Sequence, residues 1–221
     1  MPSRPRIVLI HATPVAIAPV TAAFASHWPV ADVVNLLEDS LSRDRSAEGG
    51  LTAAMTARIR TLADYARGIG ADGILFTCSA FGAAIDAAAA ESPVPVLKPN
   101  EAMFDQALAA GRRIGMLATF GPSVAGMEAE FREAAAAKGS AATVETVLVE
   151  AAMTALRDGG EATHNRLLAE AAPQLAHCDA VMLAHFSTSR AERDVAARLP
   201  CPILTSPTSA VGALRRRLEV G

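Results

Sequence analysis

Aromatic side chains, cysteines and long apolar runs are all scarce in this sequence of 221 residues. Aromatic residues make up 4% of the chain, although hydrophobic residues make up 51%, and much of the apolar content is alanine. Small apolar side chains let helices pack closely against a sheet. The composition therefore favours a helix-rich α/β protein, and the length is sufficient for one large domain or two smaller lobes with an ample core.

The few cysteines limit the kinds of site that the chain can build. Cys78, Cys178 and Cys201 are an odd number and have no short paired spacing. This pattern argues against a disulfide framework and against a zinc site, so no metal is predicted. Reduced thiols fit a cytoplasmic location best.

No stretch of the sequence is typical of a membrane or secretory segment. The apolar run at residues 7–10 is too short for a signal core, and His11 and Pro14 interrupt the apolar character directly after it. No run approaches the ~18 apolar residues of a membrane helix, so a soluble chain is expected. The net charge is −3 and the basic residues are scattered, which predicts no nucleic-acid partner and no membrane partner.

The hydrophobic pattern alternates between short apolar runs and helical periods, and it predicts eight βα units. Strands are predicted at residues 7–10, 30–37, 94–97, 113–118, 144–149, 181–184 and 202–204, and in the apolar run that starts at Gly73. Residues 38–50 are predicted as a polar loop, and residues 209–218 as the last helix. Eight units fit a compact (β/α)₈ barrel as well as two four-stranded parallel sheets, and periodicity alone leaves both open.

One strand-end motif stands out because it carries reactive side chains. The apolar run from Gly73 ends on Thr77, Cys78 and Ser79, and a small-residue stretch that reads as a helix follows. Ligands of α/β proteins collect at the carboxyl ends of strands, where helix amino termini favour a thiolate. The alternative is a buried cysteine that acts as a small hydrophobic residue, but the flanking hydroxyl groups favour a functional Cys78.

The sequence matches itself when it is shifted by 107 positions. The residues that coincide are Arg6 with Arg113, Ile7 with Ile114, Asp72 with Asp179, Pro93 with Pro200 and Pro95 with Pro202. A constant offset of about half the chain predicts two related halves. The same shift places Cys78 on His185, so each half is expected to supply one reactive residue from an equivalent strand.

Three short motifs resemble the aspartate/glutamate/hydantoin racemase superfamily, which also includes maleate isomerase and arylmalonate decarboxylase. They are Thr77-Cys78-Ser79, residues 119–123, and Leu183-Ala184-His185. The resemblance implies an α/β fold of two pseudo-symmetric lobes, each a four-stranded parallel sheet flanked by helices, with the active site in the cleft between them. It places one lobe at residues 1–99 plus 208–221 and the other at residues 100–207, and it argues against the barrel.

The resemblance also implies the chemistry. Members of the superfamily typically use two cysteines on opposite faces of a substrate carbon. Cys78 matches the first, whereas His185 occupies the second position. An imidazole titrates near neutrality and can serve as acid or base, so Cys78 and His185 are the expected catalytic pair. Cys178 and Cys201 lie at the start of strands and are expected to be packing residues.

The resemblance implies a small carboxylate substrate of the amino-acid, hydantoin or dicarboxylate type, and hydroxyl, amide and ammonium groups that follow several strands are available to bind it. The candidate binding residues are Thr13, Asn35, Thr77, Ser79, Lys98, Thr119, Ser123, Ser187 and Thr188. Some of these hydroxyl groups are expected only to cap helices. His11 is a weaker candidate. No glycine-rich phosphate loop, flavin motif or metal-ligand spacing is present, so cofactor-independent chemistry is predicted.

Three functions remain open from the sequence. The first is a racemase or isomerase that uses Cys78 and His185. The second is a lyase similar to arylmalonate decarboxylase, in which one protonating residue suffices because loss of CO₂ generates the carbanion. The third is a non-catalytic carboxylate-binding protein of the same fold. The sequence also leaves homo-oligomer formation open.

Overall fold

The computed structural model describes residues 4–219, and these form two separate four-stranded sheets flanked by helices. The chain divides into two compact units. Unit 1 comprises the described residues up to Asn100 and from Ala210 onward, and unit 2 comprises Glu101–Ser209. All pairings between neighbouring strands are parallel. Two separate sheets exclude the barrel that periodicity had left open.

The helices and strands alternate along the chain, as the hydrophobic pattern predicts. As far as β4, the elements are β1 (Arg6–His11), α1 (Ile17–His27), β2 (Asp32–Leu37), α2 (Ser40–Glu48), α3 (Ala53–Gly68), β3 (Gly73–Phe76), α4 (Gly82–Ala90) and β4 (Val96–Leu97). They continue with α5 (Glu101–Ala110), β5 (Arg113–Ala118), α6 (Gly121–Ala137), β6 (Thr143–Leu148), α7 (Glu150–Arg157) and α8 (Glu161–Ala171). The last are β7 (Ala180–Leu183), α9 (His185–Thr188), α10 (Glu192–Ala196), β8 (Ile203–Thr205) and α11 (Ser206–Glu219). Short 3₁₀ turns occupy Pro14–Ala16, Ser79–Phe81, Ala172–Leu175 and Ser189–Ala191.

The two sheets repeat one topology, which confirms the predicted pseudo-symmetry. Their strand orders are β2-β1-β3-β4 and β6-β5-β7-β8. Strands β5, β7 and β8 each begin 107 residues after β1, β3 and β4 respectively, whereas β6 begins 111 residues after β2. The offset read from the sequence therefore holds for three of the four strand pairs, and the second half carries four more residues between its first two strands.

The residues that coincide under the shift make the same bonds in both units. The carboxylate of Asp72 accepts a hydrogen bond of 2.7 Å from the backbone N–H of Arg6. The carboxylate of Asp179 accepts one of 2.9 Å from the backbone N–H of Arg113, and this bond is the main reason that its pKa is lowered. The carbonyls of Pro95 and Pro202 accept bonds from residues of the strands beside them. Each half therefore anchors the amino ends of its strands in the same way.

The strands form these sheets because their residues are apolar on both faces. In β1, Val8 and Ile10 belong to one apolar cluster, while Ile7 and Leu9 are equally buried on the opposite face. In unit 2, Met182 and Leu183 belong to two different clusters. Burial on both faces is typical of parallel sheets that are covered by helices on each side. It leaves the carboxyl ends of the strands as the places where polar side chains collect.

The helix α3 shows how the sequence determines a local element. The Thr52 hydroxyl accepts a hydrogen bond of 3.3 Å from the backbone N–H of Met55, which caps the amino end of the helix. Met55, Ile59 and Ala66 recur at helical spacing and are buried. The apolar spacing and the cap together account for the helix over Ala53–Gly68.

The sequence predicted a loop at residues 38–50, but this prediction is wrong, because these residues contain α2. This helix has one buried apolar residue, Leu41, so it lacks the stripe by which helices are recognised. It is held instead by ion pairs from Arg58 on α3 to Glu38 and Asp44. It ends at Gly49, whose φ of 67° is the left-handed conformation that glycine adopts without strain.

Several other boundaries differ from the prediction. The helix α7 was not predicted, the last helix begins at Ser206 rather than residue 209, and β4 is limited to Val96–Leu97. Pro173 lies in a 3₁₀ turn directly after α8, because proline lacks the N–H that would continue the α-helical bonds. No helix of the described residues is long and apolar enough to cross a membrane.

Candidate active site

Reactive side chains collect at the carboxyl ends of the strands in both units. In unit 1, Cys78 follows β3 with one residue between, and it directly precedes the 3₁₀ turn that leads into α4. Its backbone is extended, with φ of −128° and ψ of 120°. The residue is half-buried against the apolar cluster of unit 1, while Phe81 is fully buried and anchors the turn. Cys78 therefore occupies the strand end predicted for it.

A buried histidine links the ends of three neighbouring strands of unit 1. His11, the last residue of β1, is completely buried. Its Nδ1 lies 2.8 Å from the Thr77 hydroxyl, next to Cys78, and its Nε2 lies 2.9 Å from Oδ1 of Asn35 on β2. Burial lowers the pKa of His11, although the bond to Asn35 opposes the shift. The structure thus brings together Asn35 and Thr77, two of the predicted binding residues, through a residue to which the sequence gave little weight.

In unit 2, His185 follows β7 as Cys78 follows β3, and its backbone is unusual. Its φ of 68° is the single positive value among the described residues other than glycine. Left-handed backbone is uncommon outside glycine, is tolerated best by Asn, Asp and His, and clusters at functional sites. Both ring nitrogens are buried, and the described residues offer neither of them a hydrogen-bond partner.

Burial also determines the charge of this imidazole. It lowers the pKa of His185, although the adjacent Ala184 backbone opposes the shift. The ring is therefore neutral near pH 7. It has one nitrogen that can accept a proton and one N–H that can donate a hydrogen bond.

Three threonine hydroxyl groups near the carboxyl ends of the unit 2 strands have no hydrogen-bond partner among the described residues. Thr119 follows β5, Thr188 lies at the end of α9, and Thr205 ends β8. All three are at most 1% exposed, and within residues 4–219 their hydroxyl oxygens make no hydrogen bond. A buried polar group without a partner costs about 1–3 kcal/mol, so its occurrence calls for an explanation. Together with His185, these hydroxyl groups give unit 2 four unsatisfied polar side chains at one edge of its sheet.

The remaining predicted binding residues differ in what they bond. The Ser123 hydroxyl donates a 2.8 Å bond to the carbonyl of Phe120, so it closes the first turn of α6. Lys98 lies 2.9 Å from the carboxylate of Asp86 on α4. Thr13 precedes the turn Pro14–Ala16 but makes no capping bond with its side chain. Ser79 and Ser187 are half-buried in the turns after β3 and β7.

The other two cysteines lie at the opposite end of the unit 2 strands. Cys178 is buried and Cys201 half-buried in one apolar cluster, and burial raises the pKa of both thiols. Cys178 is also one of three residues, with Glu145 and His177, whose donor atoms lie within 4.8 Å of one another and could hold a metal ion. Glu145 and His177 already bond to each other at 3.0 Å. This group lies at the amino end of β7, away from His185.

Two residues of these strand ends were missed or underrated by sequence reasoning. Thr205 was not selected, although it follows a predicted strand directly, as Lys98 does under the 107-residue shift. That equivalence was the available signal. His11 was ranked low because a lone histidine after a strand has no distinctive spacing, and its two bonds arise only when β1, β2 and β3 align.

Comparisons with known proteins agree with the fold described above. A model of the Asp/Glu/hydantoin racemase family matches residues 21–214. No curated protein sequence matches the chain significantly.

Among solved structures, an allantoin racemase from Klebsiella pneumoniae is similar over 98% of this chain and 89% of its own, at a TM-score of 0.73 and 16% identity. The Picrophilus torridus aspartate racemase is similar over 97% of this chain and 94% of its own, at a TM-score of 0.72 and 12% identity. The glutamate racemase isoform RacE1 from Bacillus anthracis is similar over 98% of this chain and 82% of its own, at a TM-score of 0.69 and 14% identity. At these identities the similarity shows a shared fold.

Proposed function

Because the chain belongs to the Asp/Glu/hydantoin racemase family, we propose that it is a cofactor-independent racemase or isomerase acting at the α-carbon of a small carboxylate. In this proposal Cys78 and His185 transfer the protons. The family and the fold support a racemase or isomerase in general terms. The pairing of the Cys78 thiol with the His185 imidazole goes beyond what the family and the fold support.

The observation that carries the proposal is the equivalence of Cys78 and His185. Both follow the third strand in order of their own sheets, at the carboxyl end and 107 residues apart. His185 is held in a left-handed conformation with both ring nitrogens unsatisfied among the described residues. A strained residue with unused proton-transfer atoms supports a direct role in chemistry.

The reaction needs a base on one side of the α-carbon and an acid on the other. His185, which is neutral in the ligand-free protein, first takes up a proton as the Cys78 thiol loses one. The Cys78 thiolate then removes the α-proton, the electron pair moves into the carboxylate to form an enediolate, and the imidazolium of His185 returns a proton to the opposite face. In the reverse direction the neutral imidazole is the base and the Cys78 thiol is the acid. Each positioned acid or base of this kind accelerates a reaction about 10²–10⁴-fold.

The unsatisfied hydroxyl groups of Thr119, Thr188 and Thr205 supply hydrogen-bond donors for the substrate. A carboxylate accepts such bonds strongly, and the enediolate carries more negative charge and accepts them more strongly still. Donors that already face the developing charge stabilise the transition state without reorganising. None of the three cysteines forms a disulfide, which suits a reducing compartment, so we place the protein in the cytoplasm.

The proposal is tested by proton exchange in heavy water. The purified protein is incubated with the separate enantiomers of aspartate, glutamate and allantoin and with malonate derivatives, and α-deuterium is followed by NMR. Inverted product that carries solvent deuterium supports the racemase. CO₂ release from malonates supports the lyase instead, for which one thiol suffices.

The matched variants are Cys78→Ser and Cys201→Ala. Serine keeps the shape of the side chain but raises the pKa of the base far above that of a thiol, so turnover of the enantiomer that Cys78 deprotonates should fall about 10²–10⁴-fold. Cys201→Ala should leave turnover unchanged. Loss of activity in Cys201→Ala at an unchanged melting temperature would show that the wrong thiol was assigned.

A further inference from the structure

His11 is the polar residue of unit 1 with the most constrained surroundings. It is completely buried, and both of its ring nitrogens have partners within hydrogen-bond distance. Burial lowers its pKa, so the ring is neutral near pH 7 and carries one N–H. One nitrogen must therefore donate and the other must accept.

The chemistry of the two partner atoms indicates which ring nitrogen of His11 carries the proton. Nε2 lies 2.9 Å from Oδ1 of Asn35, an oxygen that only accepts, so Nε2 donates. Nδ1 is then the acceptor, and the Thr77 hydroxyl, 2.8 Å away, donates to it. The three side chains form one directed chain of bonds that runs from Thr77 through His11 to Asn35.

The opposite direction fits the structure less well. It requires Nδ1–H to donate to Thr77, whose own proton must then go to the carbonyl of Ile10 at 3.4 Å. That carbonyl already accepts the backbone N–H of Thr77 at 3.0 Å. The 2.8 Å bond to the imidazole is much the better use of the hydroxyl proton.

We infer that His11 is a positioning residue that holds the Asn35 carboxamide with its oxygen on the imidazole, so that its N–H₂ group is offered to an oxygen of the substrate. The inference rests on the proposed function, and it specifies the chemistry of the substrate group that unit 1 receives: a carboxylate or carbonyl oxygen. Asn35 is exposed, in contrast to the completely buried His11, so its N–H₂ group is accessible to a ligand.

The directed chain also changes the role of Thr77. Because its one proton is committed to His11, Thr77 does not donate to the substrate, in contrast to the unsatisfied threonines of unit 2. Hydrogen bonds in a chain polarise one another, so the bond from His11 strengthens Asn35 as a donor. Binding in unit 1 therefore depends on Asn35, and Asn35 depends on His11.

The first test measures the tautomer directly in the ligand-free protein. Long-range ¹H–¹⁵N NMR of imidazole-labelled protein distinguishes a protonated ring nitrogen from a bare one. We expect His11 to be neutral at pH 7 with the proton on Nε2. A proton on Nδ1, or a fully protonated ring, would overturn the inference whatever reaction the protein performs.

The second test uses variants that restore one bond of the chain at a time. In His11→Gln the side-chain amide reaches the position of Nε2 and can still donate to Asn35. In His11→Asn it reaches only the position of Nδ1. The probe is whichever of aspartate, glutamate, allantoin or malonate raises the melting temperature of the wild type most. We expect His11→Gln to keep most of the probe affinity and His11→Asn to lose about tenfold or more. Equal losses in both variants would contradict the role given to His11.

A variant at Asn35 covers the case in which replacement of buried His11 prevents folding. Asn35→Asp keeps an oxygen acceptor for His11 but removes the N–H₂ donors, so the affinity for the probe should fall about 10- to 100-fold while the Nε2–H tautomer persists. Unchanged affinity would overturn the inference. Expected tautomer and binding without any α-proton exchange would instead contradict the proposed reaction and leave the role of His11 intact.

Discussion

The side chain of Arg45 on α2 donates a hydrogen bond of 3.3 Å to the carbonyl of Ala80, two residues beyond Cys78. One turn earlier on the same helix, the Ser42 hydroxyl donates a 2.9 Å bond to the carbonyl of Ala12, next to His11. The short helix α2 therefore fastens both segments that carry the reactive and positioning residues of unit 1. Its own stability becomes a condition for their geometry.

Loss of the Arg58 guanidinium should loosen α2 selectively. Arg58 pairs with Glu38, just before α2, and with Asp44 within it. In Arg58→Gln the amide protons of α2 should exchange with solvent about 5-fold faster, although the free energy of unfolding should fall by about 1 kcal/mol or less, because partly exposed ion pairs contribute little to global stability. The measurement is hydrogen exchange resolved by peptide.

The matched control for that experiment is Arg60→Gln. Arg60 lies on α3, as Arg58 does, and forms a comparable exposed ion pair with Glu91, but it does not hold α2. It should leave the exchange of α2 unchanged. Similar acceleration in both variants would mean that Arg58 does not hold α2 in the way described.

His185→Asn should separate backbone conformation from proton transfer. Asparagine tolerates the left-handed backbone at this position, so the free energy of unfolding should change by about 1 kcal/mol or less. It cannot transfer a proton near neutrality, so inversion should stop, while exchange with retention through Cys78 persists. His185→Val should stop inversion as well and also destabilise the fold by about 1–3 kcal/mol, since a β-branched residue is strained there. Inversion by His185→Asn at the wild-type rate would refute the two-base reaction.

Stability should decrease on mild acidification. Burial lowers the pKa of His11 and of His185 below the ordinary value of 6.5. The unfolded chain therefore binds more protons than the native protein once the pH falls below about 6.5, and the free energy of unfolding decreases, by at most about 1.4 kcal/mol per pH unit for each imidazole. Urea unfolding between about pH 7.5 and 5.5 avoids the titration of carboxyl groups.

The same titration identifies the groups responsible. His185→Asn should reduce the slope of stability against pH, because one of the two buried imidazoles is removed. A stability that is constant across this range, or a slope unaffected by the substitution, would show that burial does not shift these groups as described.

Replacement of a threonine without a hydrogen-bond partner should weaken binding without lowering the free energy of unfolding. In Thr205→Val a buried hydroxyl without a partner is replaced by a methyl group, so the free energy of unfolding of the ligand-free protein should stay constant or rise by up to about 1 kcal/mol. Affinity for the carboxylate substrate should fall. In Thr77→Val the same change breaks the bond to His11 and should cost about 1–2 kcal/mol. Equal destabilisation in both variants would mean that Thr205 has a partner in the ligand-free protein.

The sequence was sufficient to predict the repeated architecture, because the features behind it are local. Apolar strand cores and the anchoring aspartates Asp72 and Asp179 are visible as residues at a fixed offset. That offset also placed Cys78 and His185 at equivalent strand ends. The prediction failed for α2, because ion pairs from a helix later in the chain stabilise it rather than an apolar stripe of its own.

The particular properties of the candidate site could not be read from the sequence, for a different reason. Whether a hydroxyl group finds a hydrogen-bond partner depends on everything packed around it. In the sequence, therefore, Thr119 and Thr205, which have no partner among the described residues, cannot be distinguished from Ser123, which bonds to the carbonyl of Phe120. The left-handed backbone of His185 and the two bonds of His11 likewise exist only after the strands have aligned.

The duplicated sheets with a thiol at one strand end and an imidazole at the other have a kinetic consequence. Two identical bases could exchange roles when the substrate enantiomer changes, whereas a thiol and an imidazole are chemically different, so in the proposed racemisation kcat need not be the same for the two enantiomers. The equilibrium constant of a racemisation is unity, and thermodynamics then requires kcat/KM to be the same for both enantiomers. Any difference in kcat must be matched by an equal ratio of KM values: the enantiomer turned over faster has to be the one with the higher KM.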